Sequence, residues 1–366
     1  MRILYGVVGE GMGHAMRSRV ILEELVKHHE VQVVVSGRAH DYLAKSFGER
    51  LRIQKIWGLH IVYEDNEVQR FKTVLSNARG AVRGWPKNAK AYFDIARSFE
   101  PQVVISDFES WSYLFAKNWL LPVISIDNMQ VINRCTHPPE VLDGYRGDFQ
   151  VTKQIVKGKL PGCFHYHVTT FFYPPIRKAR TSLHPPILRP QLLEAKAERG
   201  DHLLVYQTST SNDRLPEVLK QTGLECRVYG LRRDLREEVV DGNLIYRPFS
   251  EQGFVDDLRT ARGVIAGGGF TLMGEAVYLR KPMLSVPVKR QFEQVLNARY
   301  LEHAGYGQFA SEIDRATVNR FVEAIPHHET ALADYQQDGN RSLLESLEQT
   351  IQRAARAGRD GAVDRT

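Results

Sequence analysis

The chain begins with a glycine-rich run, VVGEGMGHAMRSR (Val7 to Arg19), in which Gly9, Gly11 and Gly13 lead to His14. An apolar run precedes these glycines and a helix-like pattern follows them. The imidazole therefore falls at the carboxyl end of a first strand, where open α/β sheets hold their ligands. A helix N-terminus disfavours imidazolium, which leaves a neutral ring able to accept a proton. Asp107 closes a second apolar run, VVISD, expected in the same sheet. A carboxylate behind an imidazole fixes its tautomer and stabilises its charged form. Structural alternatives stand beside this reading: His14 as a helix cap, Asp107 as the N-cap of the next helix, and Glu109 as a competing partner for the ring.

A second constellation lies in VIAGGGFTLMGEA, where a short apolar strand meets Gly267, Gly268 and Gly269 and a helix starts near Phe270 and Thr271. Unpaired N–H groups and the helix dipole make such a turn an anion site suited to a diphosphate. Glu275, in the early turns, either compensates the dipole or accepts from two ribose hydroxyls. Glu293 and Gln294 open a further helix and are either surface polar groups or partners for a sugar. The first turn is a poor dinucleotide fingerprint, since its glycines are spaced by two and His14 stands where the last glycine belongs. No acidic residue ends the second strand, and only Arg38 keeps an NADP-dependent oxidoreductase in view.

These residues need a scaffold, and the pattern predicts an α/β one. Strands are expected at 2–9, 31–37, 52–59, 102–107 and 122–127, with a helix from His14 to Lys27. After the proline-rich Thr181 to Pro190, read as a linker, strand-like runs resume at His202, Cys226, Asn243, Gly263 and Pro282. The expected fold is two Rossmann-like domains, 1–184 and 185–366, with parallel sheets facing across a cleft and the last helix packing back on the first domain. The tail from Gln352 is read as a helix end fraying into disorder. A content of 43% hydrophobic and 25% charged residues excludes a disordered or fibrous chain. Cys135, Cys163 and Cys226 show no paired spacing, so neither disulfides nor a zinc site is expected. His165 and His167 share a strand face but lack an evident third ligand, and no metal is predicted. The longest apolar run, WLLPVISI, contains Pro122 and falls short of the ~18–20 residues that span a bilayer. No leader segment is read, and a cytoplasmic protein is expected. The net charge of +6 suits an anionic partner, but no basic run interleaved with aromatics points to nucleic acid.

Gly13 and His14, the spacing from Gly269 to Glu275, and the pattern Glu293, Gln294, Asn297, Ala298 together resemble the GT-B glycosyltransferases. The resemblance is to the group of the peptidoglycan GlcNAc transferase and the UDP-glycosyltransferases, with their bacterial and archaeal teichoic-acid-related homologues. It implies an inverting, metal-independent transfer of a sugar from a nucleoside diphosphate donor, UDP-linked, to a hydroxyl acceptor. A lipid or cell-envelope acceptor and peripheral contact with the inner face of a membrane would follow from the family's habits. No cofactor is implied beyond the nucleotide sugar as co-substrate. His14 would be the base and Asp107 its partner, Glu275 would hold ribose, and Glu293 and Gln294 the donor sugar. Backbone near Phe249 and Ser250 would hold the base, and Thr208, Ser209 and Thr210 a phosphate. The chain departs from the plant-type relatives, which carry a histidine at the position of Gly267, and from the lipid-synthesis enzyme, which has two glutamines at 293 and 294. Gly11, Gly13 and Arg17 also resemble the glycine-histidine-x-x-arginine turn of nucleotide-sugar hydrolases, which implies an acceptor or phosphate loop. A hydrolase and a non-catalytic nucleotide-sugar binder are thus the rival readings.

Overall fold

The computed structural model describes residues 1–9, 11–58, 63–64, 67–68, 86, 88–207 and 214–363. The first unit runs β1 (Arg2–Val7), α1 (Met12–Leu25), β2 (Glu30–Val35), α2 (Gly37–Phe47), β3 (Arg52–Lys55) and a two-residue pair, β4 (Tyr63–Glu64) and β5 (Glu67–Val68). It continues with α3 (88–98), β6 (Val103–Asp107), α4 (Ser110–Asn118), β7 (Val123–Asp127), α5 (Val131–Arg134), α6 (Arg146–Lys159), β8 (His165–Thr169) and β9 (Thr181–His184). Seven strands form a sheet in the order β3-β2-β1-β6-β7-β8-β9, and every pairing in it is parallel. The order reverses between β1 and β6, where Val7 and Asp107 are register partners. The turn after β1 and the end of β6 therefore open on one crevice.

The second unit runs α7 (Pro190–Glu194), β10 (Leu203–Tyr206), α8 (Leu215–Lys220), β11 (Cys226–Tyr229), β12 (Val239–Asp241), β13 (Leu244–Tyr246) and α9 (Glu251–Thr260). Then come β14 (Gly263–Ala266), α10 (Phe270–Tyr278), β15 (Met283–Ser285), α11 (Phe292–His303), β16 (Gly307–Phe309), α12 (Arg315–Leu332) and α13 (Arg341–Val363). Its sheet has the order β12-β13-β11-β10-β14-β15-β16 and is parallel except at the β12 edge. Here the order reverses between β10 and β14, with Tyr206 beside Ala266. In both sheets the period of two sends alternate residues to opposite cores. Ile3, Tyr5 and Val7 pack on one face of the first sheet and Leu4 on the other. Leu203 and Val205 similarly oppose Leu204 in the second.

Two expectations change. Thr181 to His184 is not linker but the edge strand β9, paired in parallel with β8, and the prolines begin only after it. The tail does not fray at Gln352; the helix continues to Val363. Leu343, Leu347, Ile351, Ala354 and Ala355 recur on one helical face and join the core formed by α1, α2, Ile105 and Ile124. Burial of each large aliphatic there contributes about 1.5–3 kcal/mol, enough to hold the helix on the first sheet. The chain thus crosses between units twice, and Asn340 laces the crossings together. Its side chain accepts from Leu188 N and donates to Leu188 O, both at 2.9 Å, from a left-handed backbone (φ 73°) that asparagine tolerates. Gln337 Nε2 adds a bond to Pro186 O at 2.8 Å.

Candidate active site

His14 lies in the first turn of α1, which starts after Gly11 at φ 81°. Its Nδ1 is 2.9 Å from Asp107 Oδ1 at the end of β6. Asp107 is free for this because Glu109 caps α4 instead, accepting from Trp111 N at 2.7 Å and Ser112 N at 2.6 Å. The Asp107 carboxylate is wholly buried. Oδ1 also accepts from Arg17 Nη2 at 2.5 Å, and Oδ2 accepts from Arg17 Nε at 3.0 Å and Ser18 Oγ at 2.9 Å. Burial alone would raise its pKa, but Arg17 and His14 outweigh burial and hold it well below the usual carboxylate range. Nδ1 is shared between the ionised Asp107 carboxylate at 2.9 Å, to which it can only donate, and Arg17 Nη2 at 2.6 Å, from which it can only accept; in the tautomer that donates to Asp107 the lone pair stands on Nε2. Among the described residues Nε2 has no hydrogen-bond partner, and the His14 side chain is 17% exposed. The ring is therefore anchored on one side and reachable on the other. Arg17 departs from the expectation of a loop residue meeting acceptor or phosphate. It is buried, turned inward to Asp107, and its Nη1 donates to Asn128 Oδ1 at 2.6 Å.

Across the cleft, Gly267 to Gly269 connect β14 to α10, whose N-cap Gly269 makes no side-chain cap. A Cβ on Gly13 would lie 2.6 Å from Thr271 Oγ1, so the first turns of α1 and α10 are in contact. Two positive helix ends in contact favour an anion beside them. A Cβ on Gly268 would lie 2.3 Å from the backbone oxygen of Gln294, so α11 packs directly on the loop. Asn297 Nδ2 donates to Gly268 O at 3.0 Å and reinforces that contact.

Several donor-side residues sit differently from expectation. Gln294 Oε1 is taken by Gly268 N at 3.1 Å and Val288 N at 3.0 Å, so this amide shapes the loop before it can meet a sugar. It also fills the space beside Gly267, where an added Cβ would lie 3.2 Å from Gln294 Oε1. Phe270 is buried and stacked with Phe171, a core contact between the units. Glu275 is buried in a two-pronged pair with Arg189, Nε to Oε1 at 2.8 Å and Nη2 to Oε2 at 2.9 Å. Burial pushes its pKa up while Arg189 pulls it down, and the net direction is upward. Phe249 is 75% exposed beside Ser250, whose Oγ caps α9 at Gly253 N (3.2 Å). Glu293 Oε1 accepts from Asn128 Nδ2 at 2.6 Å, a bond that spans the cleft. Thr208, Ser209 and Thr210 lie outside the described residues.

Sequence reasoning passed over Asn128 and Arg189. Asn128 directly follows β7, whose end lies on the same sheet edge as Asp107, and that position was its signal. Arg189 stands in a proline-rich crossing with none. His165 and His167 face His184 through Ser182 Oγ, which is within 3.2 Å of all three rings. Burial pushes His165 and His184 down to about 4, so these rings are neutral. Among the described residues, no group of three or more His, Cys, Asp or Glu is arranged to hold a metal ion. Nor, among them, is any helix long and apolar enough to cross a membrane.

The model of glycosyl transferase family 1 matches residues 1–326. An uncharacterized glycosyltransferase of Methanosarcina acetivorans is 24% identical over 340 residues, 87% of this chain and 86% of that one. A UDP-N-acetylglucosamine--N-acetylmuramyl-(pentapeptide) pyrophosphoryl-undecaprenol N-acetylglucosamine transferase of Bacillus cereus is 34% identical over 86 residues, 23% of this chain and 24% of its own. Among solved structures, UGT2 of Phytolacca americana, complexed with UDP-2fluoro-glucose and pterostilbene, has a TM-score of 0.66 at 13% identity over 96% of this chain and 98% of that one. With two parallel sheets opposed across a cleft and a family match over most of its length, the chain belongs to glycosyl transferase family 1 and is a glycosyltransferase of the GT-B fold.

Proposed function

We propose that the protein transfers a sugar from a UDP-linked donor to a hydroxyl acceptor with inversion at the anomeric carbon and without a metal ion. His14 Nε2 takes the acceptor proton as the acceptor oxygen bonds to the anomeric carbon. The bond from that carbon to the diphosphate oxygen breaks on the opposite side. The leaving diphosphate gathers charge before Gly267 to Gly269 and the α10 N-terminus, an electrostatic stabilisation worth a few kcal/mol, roughly 3. Arg17 and Asp107 cancel each other's charge, so the proton gained by His14 leaves a net positive ring near the departing anion. One observation carries the reading: a histidine anchored at 2.9 Å by an ionised carboxylate, with its other nitrogen open, on a helix end in contact with a second helix end.

UDP-2fluoro-glucose, bound in the Phytolacca structure, and UDP-N-acetylglucosamine, named in the Bacillus transferase, support UDP. The undecaprenol-linked substrate of the latter supports a lipid-linked acceptor. Exposed Phe93, Leu114, Trp119 and Leu120 on the first unit suit peripheral contact with a membrane. The test is a screen of nucleoside diphosphate sugars with and without lipid extract, read by product mass. His14→Ala should lower transfer by about 10²- to 10⁴-fold, and an unchanged rate would remove His14 from the mechanism. Donor cleavage at full rate without any acceptor would make the protein a hydrolase. Donor binding without turnover would make it a binding protein.

A further inference from the structure

A line of polar side chains, buried up to the half-buried Glu293, connects the catalytic pair to the other unit, and the chemistry above does not use its bridge from Asn128 to Glu293. Asn128, 3% exposed, accepts from Arg17 Nη1 through Oδ1 and donates to Glu293 Oε1 through Nδ2, both at 2.6 Å. Arg17 in turn holds both oxygens of Asp107. The line Asp107, Arg17, Asn128, Glu293 draws on β6, α1, the turn after β7 and α11. Its polarity is fixed, because reversing the Asn128 amide would set N–H against guanidinium and carbonyl against carboxylate. The charges felt by Arg17 are Asp107, Asp127 and Glu293. Asp127 already accepts from Ser125 Oγ and Gln130 N, both at 2.8 Å, so it stands beside the line and not in it. Glu293 is thus the carboxylate that answers Arg17 across the cleft.

Building on the glycosyl-transfer reading, we propose that Asn128 is a positioning residue that ties closure of the donor unit to alignment of His14 with Asp107. Parting of the units takes Glu293 from Asn128 and frees the far anchor of Arg17. The Arg17 guanidinium lies 2.6 Å from His14 Nδ1 and shares Asp107 Oδ1 with it, so its displacement reaches the ring directly. Closure restores the line and aims the base. A base aimed only in the closed state leaves an open, donor-loaded site slow to activate water. Glu293 thereby does two things, meeting the donor unit's ligand and reporting closure to the base.

The experiment uses Asn128→Asp, Asn128→Ala, Glu293→Gln and the double variant N128D/E293Q in the full chain. The readouts are the titration of the His14 ring by NMR and the radius of gyration by small-angle X-ray scattering with UDP present. N128D sets two carboxylates against each other; the units should part and the His14 midpoint should rise by about 0.5 unit or more. In N128D/E293Q the glutamine amide can donate to the carboxylate introduced at position 128, and both readouts should return toward the wild type. A double variant no closer to wild type than N128D, or an N128D indistinguishable from wild type, would overturn the proposal. In turnover, N128A should lose about ten- to a hundredfold in kcat with little change in donor KM. Loss confined to KM would count against it, as would a fall in melting temperature with kcat intact. Titration and scattering need no substrate, so a wild-type protein that turns over no donor would refute the transfer reading while leaving the bridge to be judged on these two measurements.

Discussion

Asp107→Asn tests the site without changing its volume. The wild-type carboxylate takes four hydrogen bonds, two on each oxygen, and the amide has only one oxygen to offer. If the amide N–H₂ faces His14, it donates to Nδ1, moves the ring proton to Nε2 and removes the lone pair that faces the cleft. If it faces Ser18, it meets Arg17 Nε, now 3.0 Å away donor to donor. Neither orientation restores the charge opposite a guanidinium that is 4% exposed. Breaking a buried pair by neutralising one partner costs about 3–5 kcal/mol; Glu293, reached through Asn128, offsets part of this. For the reaction, the imidazolium formed at proton transfer loses its carboxylate, and about 10²- to 10⁴-fold in kcat should be lost with it. Because the folded pKa of Asp107 is depressed, its stabilisation is present above the ordinary carboxylate range near ~3.9 and lost as pH falls through the lower folded value. The gap in melting temperature between wild type and D107N should therefore be full at neutral pH and close in acid. Calorimetry from neutral to acid pH, paired with initial-rate measurements, decides it. A variant within threefold of wild-type kcat, or a gap in melting temperature that widens in acid, would refute the assignment of an ionised Asp107 behind His14.

Two further outcomes are expected. Gly268→Ala drives a Cβ to within 2.3 Å of the Gln294 backbone, so α11 must shift; a loss of about 1–3 kcal/mol in stability and weaker UDP binding should appear by calorimetry. Arg189→Met strands the buried Glu275 carboxylate and should cost about 3–5 kcal/mol at neutral pH. Burial raises the Glu275 pKa in the folded chain, so protonation relieves the stranded charge and that cost should shrink as pH falls, as urea melts at two pH values would show.

His14 and Asp107 were legible because each follows an apolar strand, and a strand end in a parallel sheet is an address on the ligand edge. Their pairing was legible only as a choice between Asp107 and Glu109, since it depends on β6 pairing with β1 from a hundred residues away. Periodicity also carried the alternating strands of both units. It did less for Gln294, Phe270 and Glu275, whose spacing locates them beside the glycine loop without saying where their side chains turn. Gln294 folds onto backbone N–H groups, Phe270 enters the core, and Glu275 meets an arginine from the crossing segment. Arg17 reads as an exposed loop cation until a buried carboxylate is seen to need it. The prolines of the crossing hid β9, because they stiffen the chain just after a strand ends. Ala354 and Ala355 hid how far the apolar face of α13 runs, since small residues bury well yet weigh little in a search for large ones.

The lacing of the two crossings by Asn340 has a mechanical outcome. Two separate tethers would let the units swivel as well as part, and every swivel would carry α10 sideways past α1. Pinned together at Leu188, the tethers act as one knuckle. An opening about that knuckle would be a rotation about a single line, like the cover of a book, and would bring the two helix ends back along the same arc. Under the proposed transfer the two helix ends would come back to the same alignment on each closure, held by Asn340 and Gln337 far from the chemistry.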